Sequence, residues 1–304
     1  MTSNVGFVPF AGCFISDPQK QNAAPLVFAG LPDDSQSSFR RGSARGPQQI
    51  RSAYDGNCFN ATTESGVDLA GAVADLGDLP AKSVWELTAR SYQKFAARLF
   101  QIGKIPFFAG GDHAVTVPII AALAELGEPV HLIQIDAHPD LYPDYEDSRD
   151  SHACTIARAL EMNHVASVTQ LGIRTLNKAQ MPQLERYRDR LHLFHARDLP
   201  GELPLLPHIP AGAPVYLTVD LDGFDPAFAP GVSHPVPGGL TPRQVLNFIQ
   251  NAQWKLVGMD AVEVNPDLDV NDQTAILAAR LLHEAMGLAA KQFMSKNFFN
   301  GGKK

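Results

Sequence analysis

Short apolar runs alternate along the chain with segments whose apolar residues recur at helical spacing. The runs are rich in β-branched and aromatic residues and are bounded by glycine, proline or polar residues, as buried parallel strands are. Strands are predicted at residues 24–32, 107–110, 130–135, 168–173, 191–194, 215–219 and 256–264. Helices are predicted at residues 46–51, 83–101, 113–125, 151–160, 178–190, 241–253 and 273–293. This alternation predicts an α/β fold in which helices cover both faces of a parallel sheet.

A single domain is predicted over residues 1–304. The chain is 45% hydrophobic and long enough to bury a large core, and no linker, low-complexity tract or internal repeat divides it. Residues 1–22, approximately, are expected to form an N-terminal extension, and residues 296–304 a flexible tail.

The net charge and the cysteine content limit which partners and which cellular compartment are expected for this protein. A net charge of -7 without a long basic run argues against nucleic-acid binding and slightly favours a small cationic substrate. Three irregularly spaced cysteines favour a reducing compartment, and neither a secretory leader nor a membrane span is recognisable. We therefore expect a cytoplasmic protein without nucleic-acid or membrane partners.

Candidate chemistry is concentrated where predicted strands end. The strand at 130–135 leads into Asp136, His138 and Asp140, and the strand at 215–219 leads into Asp220 and Asp222. A third apolar run ends in Gly110-Gly111-Asp112-His113. Because the carboxyl ends of parallel strands meet at one edge of a sheet, these side chains are expected to lie together.

Such a cluster needs a positive partner. Four carboxylates in one pocket would repel each other, and protonating them at neutral pH would require large increases in pKa. A polyvalent cation resolves this conflict. Solvated loop residues are the simpler interpretation, but three strand ends that all carry ligand-type side chains make it the weaker one.

Several motifs together resemble the ureohydrolases, the arginase and agmatinase family. Their order and approximate spacing match over nearly the entire chain, and the motifs span residues 110–113, 136–140, 151–154, 220–226 and 263–266. Within the family, Gly231-Val232-Ser233-His234 and Ser151-His152-Ala153-Cys154 are most similar to plant-type arginases and their bacterial relatives. Many members carry other residues at these two places, so the substrate stays open.

The resemblance implies a three-layer α/β/α fold with a mainly parallel central sheet, two Mn²⁺ ions, and assembly into trimers or hexamers. One ion would be held by His113, Asp136, Asp140 and Asp220, and the other by Asp136, His138, Asp220 and Asp222. An oxygen-rich set with one imidazole per ion suits Mn²⁺ better than Zn²⁺, while Ni²⁺ and Co²⁺ stay open.

The resemblance also implies a reaction in which hydroxide adds to a guanidinium carbon, and urea and an amine leave. Asp140 would pass a proton toward the leaving amine, and His152 would act as a proton shuttle. Glu263 would pair with the planar guanidinium, and His234 would lie beside the substrate. The simpler interpretation of His152 is a packed or helix-capping histidine, and that of Glu263 is a member of an ion pair at the edge of a loop.

The expected activity is that of an agmatinase, which converts agmatine to putrescine and urea, because no signature for an α-carboxylate is evident. Arginine is the second expected substrate, since residues 141–150 and the segment around His234 could bind its carboxylate. Guanidinobutyrate and other guanidino compounds stay open. A metal-binding relative without activity is an alternative of another class, and a dinuclear phosphoesterase is disfavoured by the lack of cationic groups beside the motifs.

Three neighbours of the motifs have structural interpretations. Asp225, which precedes a proline, is predicted to form a turn, and Asp112 to orient the loop of His113. Cys154 is predicted to be a small packed residue, with a place near the substrate entrance as the alternative.

Overall fold

Eight strands form one sheet in the part of the chain that the computed structural model describes, which is residues 9–57 and 59–300, with backbone alone for 295–300. The strands are β1 (Leu26–Leu31), β2 (Val73–Asp78), β3 (Ile105–Gly110), β4 (Val130–Ile135), β5 (Val165–Ile173), β6 (Leu191–His195), β7 (Pro214–Asp220) and β8 (Lys255–Val262). Their order is β2-β1-β3-β8-β7-β4-β5-β6, and each pair of neighbours is parallel. The predicted parallel sheet is confirmed.

Strand β2 has no counterpart among the predicted strands. It lies at one edge of the sheet, and only its first two residues, Val73 and Ala74, are consistently buried. The remaining residues alternate in exposure and include Leu76, Gly77 and Asp78. An edge strand with so short an apolar run does not carry the pattern that identifies the buried central strands.

The helices follow the predicted order with different ends. They are α1 (Pro18–Gln21), α2 (Gly46–Ala53), α3 (Trp85–Gln101), α4 (Thr116–Ala122), α5 (Thr155–Leu160), α6 (Met181–Arg186), α7 (Pro242–Gln250) and α8 (Gln273–Asn300). Short 3-10 turns at residues 113–115 and 152–154 replace the first turns of two predicted helices. Thr241 caps α7 in a capping box with Gln244, as expected from its position before a proline.

Buried side chains form a separate apolar core on each face of the sheet. One core combines residues of α2, α7 and α8 with one set of strand residues, and the other combines residues of α3, α4 and α5 with the alternate set. Phe107 and Phe108, for example, are neighbours in β3 but belong to opposite cores. The three-layer α/β/α architecture is therefore confirmed.

The described residues at the two ends of the chain begin at residue 9 and end at residue 300. Phe10 is fully buried and packs against Phe28 and Tyr54, so the described part of the N-terminal segment joins the core. Helix α8 continues through Asn300, and residues 301–304 of the predicted tail lie outside the described residues. Among the described helices, none combines the length and the apolar character needed to cross a membrane.

Gly111 holds three strand ends together beside the predicted site. Its amide donates to the carbonyl of Leu31 at 2.9 Å, and its carbonyl accepts from the amide of Glu263 at 2.8 Å. The next residue, Asp112, donates its amide to the carbonyl of Asp33 at 3.0 Å. A Cβ at position 111 would collide with the backbone of Asp33, so this close approach requires glycine.

We predict that Gly111→Ala lowers the free energy of unfolding by about 1–3 kcal/mol, because the added methyl must push the Asp33 backbone away. Chemical denaturation measures the change. Gly201→Ala is the matched control, since a Cβ at Gly201 meets nothing within 4 Å. Equal stability of the two variants would contradict the proposed packing.

Candidate metal centre and active-site pocket

The structure brings all six predicted ligand residues to the carboxyl edge of the sheet. His113 lies in the turn after β3, and Asp136 directly follows β4. Asp220 is the last residue of β7. The complete set, which lies within one small region around these strand ends, is His113, Asp136, His138, Asp140, Asp220 and Asp222.

His113 is the centre of the first group of ligand atoms. Its Nδ1 lies 3.1 Å from Oδ2 of Asp136, 3.1 Å from Oδ2 of Asp140 and 3.4 Å from Oδ2 of Asp220. All four side chains are buried. One nitrogen that faces three carboxylate oxygens is the arrangement predicted for one metal ion.

His138 is the centre of the second group. Its Nδ1 lies 2.9 Å from Oδ2 of Asp222 and 3.6 Å from Oδ1 of Asp136. The side chain of His138 is 30% exposed, whereas that of Asp222 is almost fully buried. Asp136 therefore contacts both groups through different oxygens, as a residue shared between two ions would.

The donor atoms fit a metal centre better than a network of hydrogen bonds. Nδ1 of His113 and Oδ2 of Asp140 are buried, yet neither makes a directed hydrogen bond. Buried polar atoms are rarely left without partners, so this pair indicates a missing positive partner. Nitrogen from one imidazole combined with carboxylate oxygens is a donor set that harder divalent cations prefer.

The pKa shifts reflect the same crowding of charge. Burial, and then the charge of Asp136, raise the pKa of Asp140 to about 6. Burial, and then the neighbouring Asp222 and Asp136, raise the pKa of Asp220 well above its usual value. Burial opposes charge on His138, but the nearby Asp222 outweighs it and raises the pKa of His138 to about 12. The carboxylates thus need positive neighbours to stay ionised.

His152 and Glu263 form a buried pair beside these ligands. Nδ1 of His152 lies 2.8 Å from Oε1 of Glu263, and the same oxygen accepts the amide of His113 at 3.0 Å. Burial opposes the charge of both groups, but their attraction outweighs it. The pKa of His152 is raised to about 9, and that of Glu263 is lowered.

Glu263 is held in an unusual backbone conformation. Its φ of 65° lies in the left-handed region, as does the φ of 49° at Asp140. Such conformations are uncommon in residues other than glycine, and they concentrate at functional sites. Oε2 of Glu263 is buried without a hydrogen-bond partner, so one carboxylate oxygen is free to accept a ligand.

A cavity of about 220 Å³ opens onto the ligand cluster. His152, His234 and Glu263 line it, as predicted, and the ring of His234 lies 5.1 Å from that of His152 and 5.9 Å from that of His138. Sequence reasoning did not single out several other lining residues, namely Ser38, Tyr142, Tyr145, Ala153, Thr175, Asn177 and Gln180.

Two sets of these lining residues could have been found from their positions in the sequence. Tyr142 and Tyr145 belong to residues 141–150, which were predicted to be able to bind a substrate carboxylate. Thr175, Asn177 and Gln180 follow β5, which neighbours β4, so their strand also ends at this edge. Ser38 lies in a loop far away in sequence and had no such signal.

The three structural interpretations agree with the structure. Asp225 accepts amides from Ala227 at 3.0 Å and Gly238 at 2.7 Å, which is the behaviour of a turn residue. Asp112 accepts the amide of Ala114 at 3.1 Å and so caps the turn that contains His113. Cys154 is buried and does not line the cavity.

A buried network behind the cluster orients His113. Nε2 of His113 lies 3.0 Å from the hydroxyl of Thr218, and that hydroxyl donates to Asp260 at 2.6 Å. Because the hydroxyl of Thr218 donates its hydrogen to Asp260, its oxygen accepts a hydrogen bond from Nε2–H of neutral His113. Nδ1 then keeps its lone pair for a cation. Tyr216 and Thr116 also donate to Asp260, at 2.8 and 3.0 Å.

Comparisons with known proteins agree with this geometry. The model of the arginase family matches residues 24–287. The chain is 37% identical over 289 residues to a protein named arginase, mitochondrial, from Medicago truncatula, which covers 90% of the chain and 83% of the relative. It is 34% identical over 275 residues to agmatinase, mitochondrial, from Gallus gallus, with 86% and 79% covered.

A solved structure extends the comparison to three dimensions. The agmatine ureohydrolase of Thermoplasma volcanium superposes with a TM-score of 0.80 at 30% identity. The match covers 96% of this chain and 98% of that one. The similarity in fold therefore extends over nearly the whole length of both chains.

We predict that Thr218→Val weakens Mn²⁺ binding about 10- to 100-fold, because His113 loses the partner that fixes its proton on Nε2. A Mn²⁺ titration of metal-depleted protein measures this affinity. Thr116→Val is the matched control, because it also removes one hydroxyl from Asp260 but does not touch His113. Both variants should lose about 1 kcal/mol of stability. An equal loss of Mn²⁺ affinity in both would contradict the proposed orientation.

Proposed function

Because the chain belongs to the arginase family of metal-dependent hydrolases that act on guanidino C–N bonds, we propose that it converts agmatine to putrescine and urea with two Mn²⁺ ions. The observation that carries the proposal is that Glu263, whose buried Oε2 has no hydrogen-bond partner, lines the same cavity as the ligand cluster. The pocket thus offers a place for a planar cation beside a place for metal ions.

Glu263 would hold the guanidinium group. Its lowered pKa keeps the carboxylate ionised, with burial opposing this and His152 favouring it. Oε1 is already engaged by His113 and His152, so Oε2 is the oxygen that accepts an N–H of the substrate. A charged hydrogen bond made in a buried site fixes the position of the guanidinium carbon.

Two groups of residues would hold the metal ions. One position is surrounded by His113, Asp136, Asp140 and Asp220. The other is surrounded by Asp136, His138 and Asp222. Oδ1 of Asp220 accepts the amide of Asp222, so Asp220 also lies next to a residue of the second group. The chemistry supplied by ions bound there is a hydroxide nucleophile at neutral pH. Mn²⁺ is proposed because carboxylate oxygens dominate the donor set.

Asp140 and His152 would move protons. Asp140 belongs to the first group of ligands, so its carboxylate would lie beside the nucleophile, where it could accept a proton and release it to the leaving nitrogen. His152 contacts Oε1 of Glu263 and lines the cavity, so it can exchange a proton between the pocket and solvent. The leaving amine departs as an ammonium ion, and urea is the second product.

The outer part of the cavity supports agmatine as the substrate. None of the described residues that line the cavity is lysine or arginine, so a distal carboxylate would meet no permanently charged cation there. Residues 141–150 beside it contain four exposed acidic residues, Asp144, Glu146, Asp147 and Asp150. Their one basic residue, Arg149, is paired with Glu161. This negative rim favours a substrate with a second cation.

Arginine is the second candidate, and two observations favour it. The Medicago relative is named an arginase. Asn177 and Gln180 line the cavity, and their side-chain amides offer neutral hydrogen-bond donors to a carboxylate, whereas the hydroxyl of Thr175 already donates to the carbonyl of Ala137. Neutral donors can bind a carboxylate without a full positive charge, so the choice depends on the balance between these donors and the acidic rim.

We expect Mn²⁺-loaded protein to release urea from both compounds, with kcat/KM at least about 10-fold higher for agmatine, which corresponds to about 1.4 kcal/mol in transition-state binding. A coupled urea assay measures both rates. Asp222→Asn serves as the inactive control, because it removes one carboxylate from the ligand cluster. A higher kcat/KM for arginine would reverse the assignment of the substrate. Absence of urea from every guanidino compound tested would contradict the proposed function itself.

A further inference from the structure

Ser38 contacts the one ring nitrogen of His152 that Glu263 does not use. The hydroxyl of Ser38 lies 3.0 Å from Nε2 of His152, and the amide of Ser38 donates to the same nitrogen at 3.3 Å. Nδ1, on the opposite side of the ring, faces Glu263 at 2.8 Å. His152 is therefore held between a carboxylate and a serine.

The loop that carries Ser38 is fixed to the rest of the site. Asp34 accepts the amide of Gly42 at 2.7 Å and so closes the loop on itself. The amide of Gln36 donates to Asp112 at 2.9 Å, and its carbonyl accepts the amide of His152 at 3.3 Å. Ser38 thus keeps its place relative to His152 although its own side chain lies at the cavity surface.

The two atoms of Ser38 that face His152 differ in what they can do. A backbone amide only donates, whereas a hydroxyl either donates or accepts. When His152 is neutral with its proton on Nδ1, Nε2 accepts from Ser38. When His152 is protonated on both nitrogens, Nε2–H donates to the hydroxyl, and the amide no longer has Nε2 as an acceptor. The hydroxyl of Ser38 is therefore the group that satisfies Nε2 in either state.

We propose that Ser38 is a positioning residue that keeps Nε2 of His152 hydrogen-bonded both before and after His152 gives up its proton. The proposal rests on the function proposed above. In the transfer, Nε2–H exchanges its hydrogen bond to Ser38 for one to the leaving amine nitrogen, the Nε2–H bond breaks and an N–H bond forms on that nitrogen. The Nδ1 proton stays on the ring next to Glu263, and Nε2 then accepts from the hydroxyl of Ser38. His152 regains its Nε2 proton from solvent. The ring does not have to rotate between these states.

Kinetics of three variants test the proposal, with whichever of agmatine or arginine the wild type uses faster. Ser38→Ala should lower kcat about 3- to 10-fold, the equivalent of one hydrogen bond, with KM within about twofold of wild type. Ser38→Thr keeps the hydroxyl and should restore most of the activity. Ser37→Ala, which removes the neighbouring hydroxyl that donates to the carbonyl of Phe39, should resemble wild type.

A double-mutant cycle shows whether Ser38 acts through His152. Ser38→Ala should have no further effect on kcat in a His152→Ala background, because its partner is gone. A further loss of the same size would overturn the proposal, as would an unchanged kcat or a change confined to KM in Ser38→Ala alone. Equal thermal stability of Ser38→Ala and Ser37→Ala would show that the loss of activity is not a loss of folding.

Nitrogen NMR of histidine-labelled protein tests the contact without turnover. The ring signals of His152 are identified by their absence from the His152→Asn variant. Ser38→Ala should shift the Nε2 resonance of His152, and Ser37→Ala should not. Unchanged His152 resonances in Ser38→Ala would overturn the contact. Because this measurement needs no substrate, it separates failure of the Ser38 proposal from failure of the proposed function.

Discussion

Repulsion between buried carboxylates is the constraint on which the site depends. Asp136, Asp140, Asp220 and Asp222 are nearly inaccessible to solvent, and they share one small region with the buried Glu263. Water cannot screen these charges, so each carboxylate makes its neighbours harder to ionise. With His113 and His138 as the only positive partners, Nδ1 of His113 and Oδ2 of Asp140 stay buried without directed hydrogen bonds. Divalent cations would satisfy both the charges and these atoms.

The sheet makes such an arrangement possible because of the order of its strands. Four neighbouring strands, β3, β8, β7 and β4, come from two distant parts of the sequence, residues 105–135 and 214–262, but are consecutive in the sheet. β3 ends before His113, β8 before Glu263 and β4 before Asp136, and β7 ends in Asp220. The turns after β4 and β7 add His138, Asp140 and Asp222 at the same edge. The strands therefore fix where each of these short segments begins, as a site with fixed geometry requires.

Much of this could be predicted from the chain alone, because buried parallel strands are continuous apolar runs and the polar residues after them stand out. The six candidate ligand residues were predicted in this way, and the resemblance to a family added His152 and Glu263 as predicted site residues. Edge strand β2 lacks such a run and was missed. Ser38 and Asn177 reach the cavity through loops whose paths depend on the tertiary structure. The trimeric or hexameric assembly and the cytoplasmic location stay predictions, since one chain carries no test of them.

The role of Ser38 shows what the loops add to the rigid edge. The strands place the groups that bind ions and the guanidinium, whereas the loop at residues 33–42 contacts the group proposed to carry protons. The loop at residues 33–42 is thus a separate element that positions His152. Changes in these loops can alter the substrate or the rate without disturbing the ligand cluster.

Anomalous X-ray diffraction from crystals of active, Mn²⁺-loaded protein tests the central claim most directly. The account predicts two manganese peaks per chain, one within bonding distance of Nδ1 of His113 and one within bonding distance of Nδ1 of His138, with Asp136 bound to both. Fully active crystals with no metal peak between these carboxylates would contradict it.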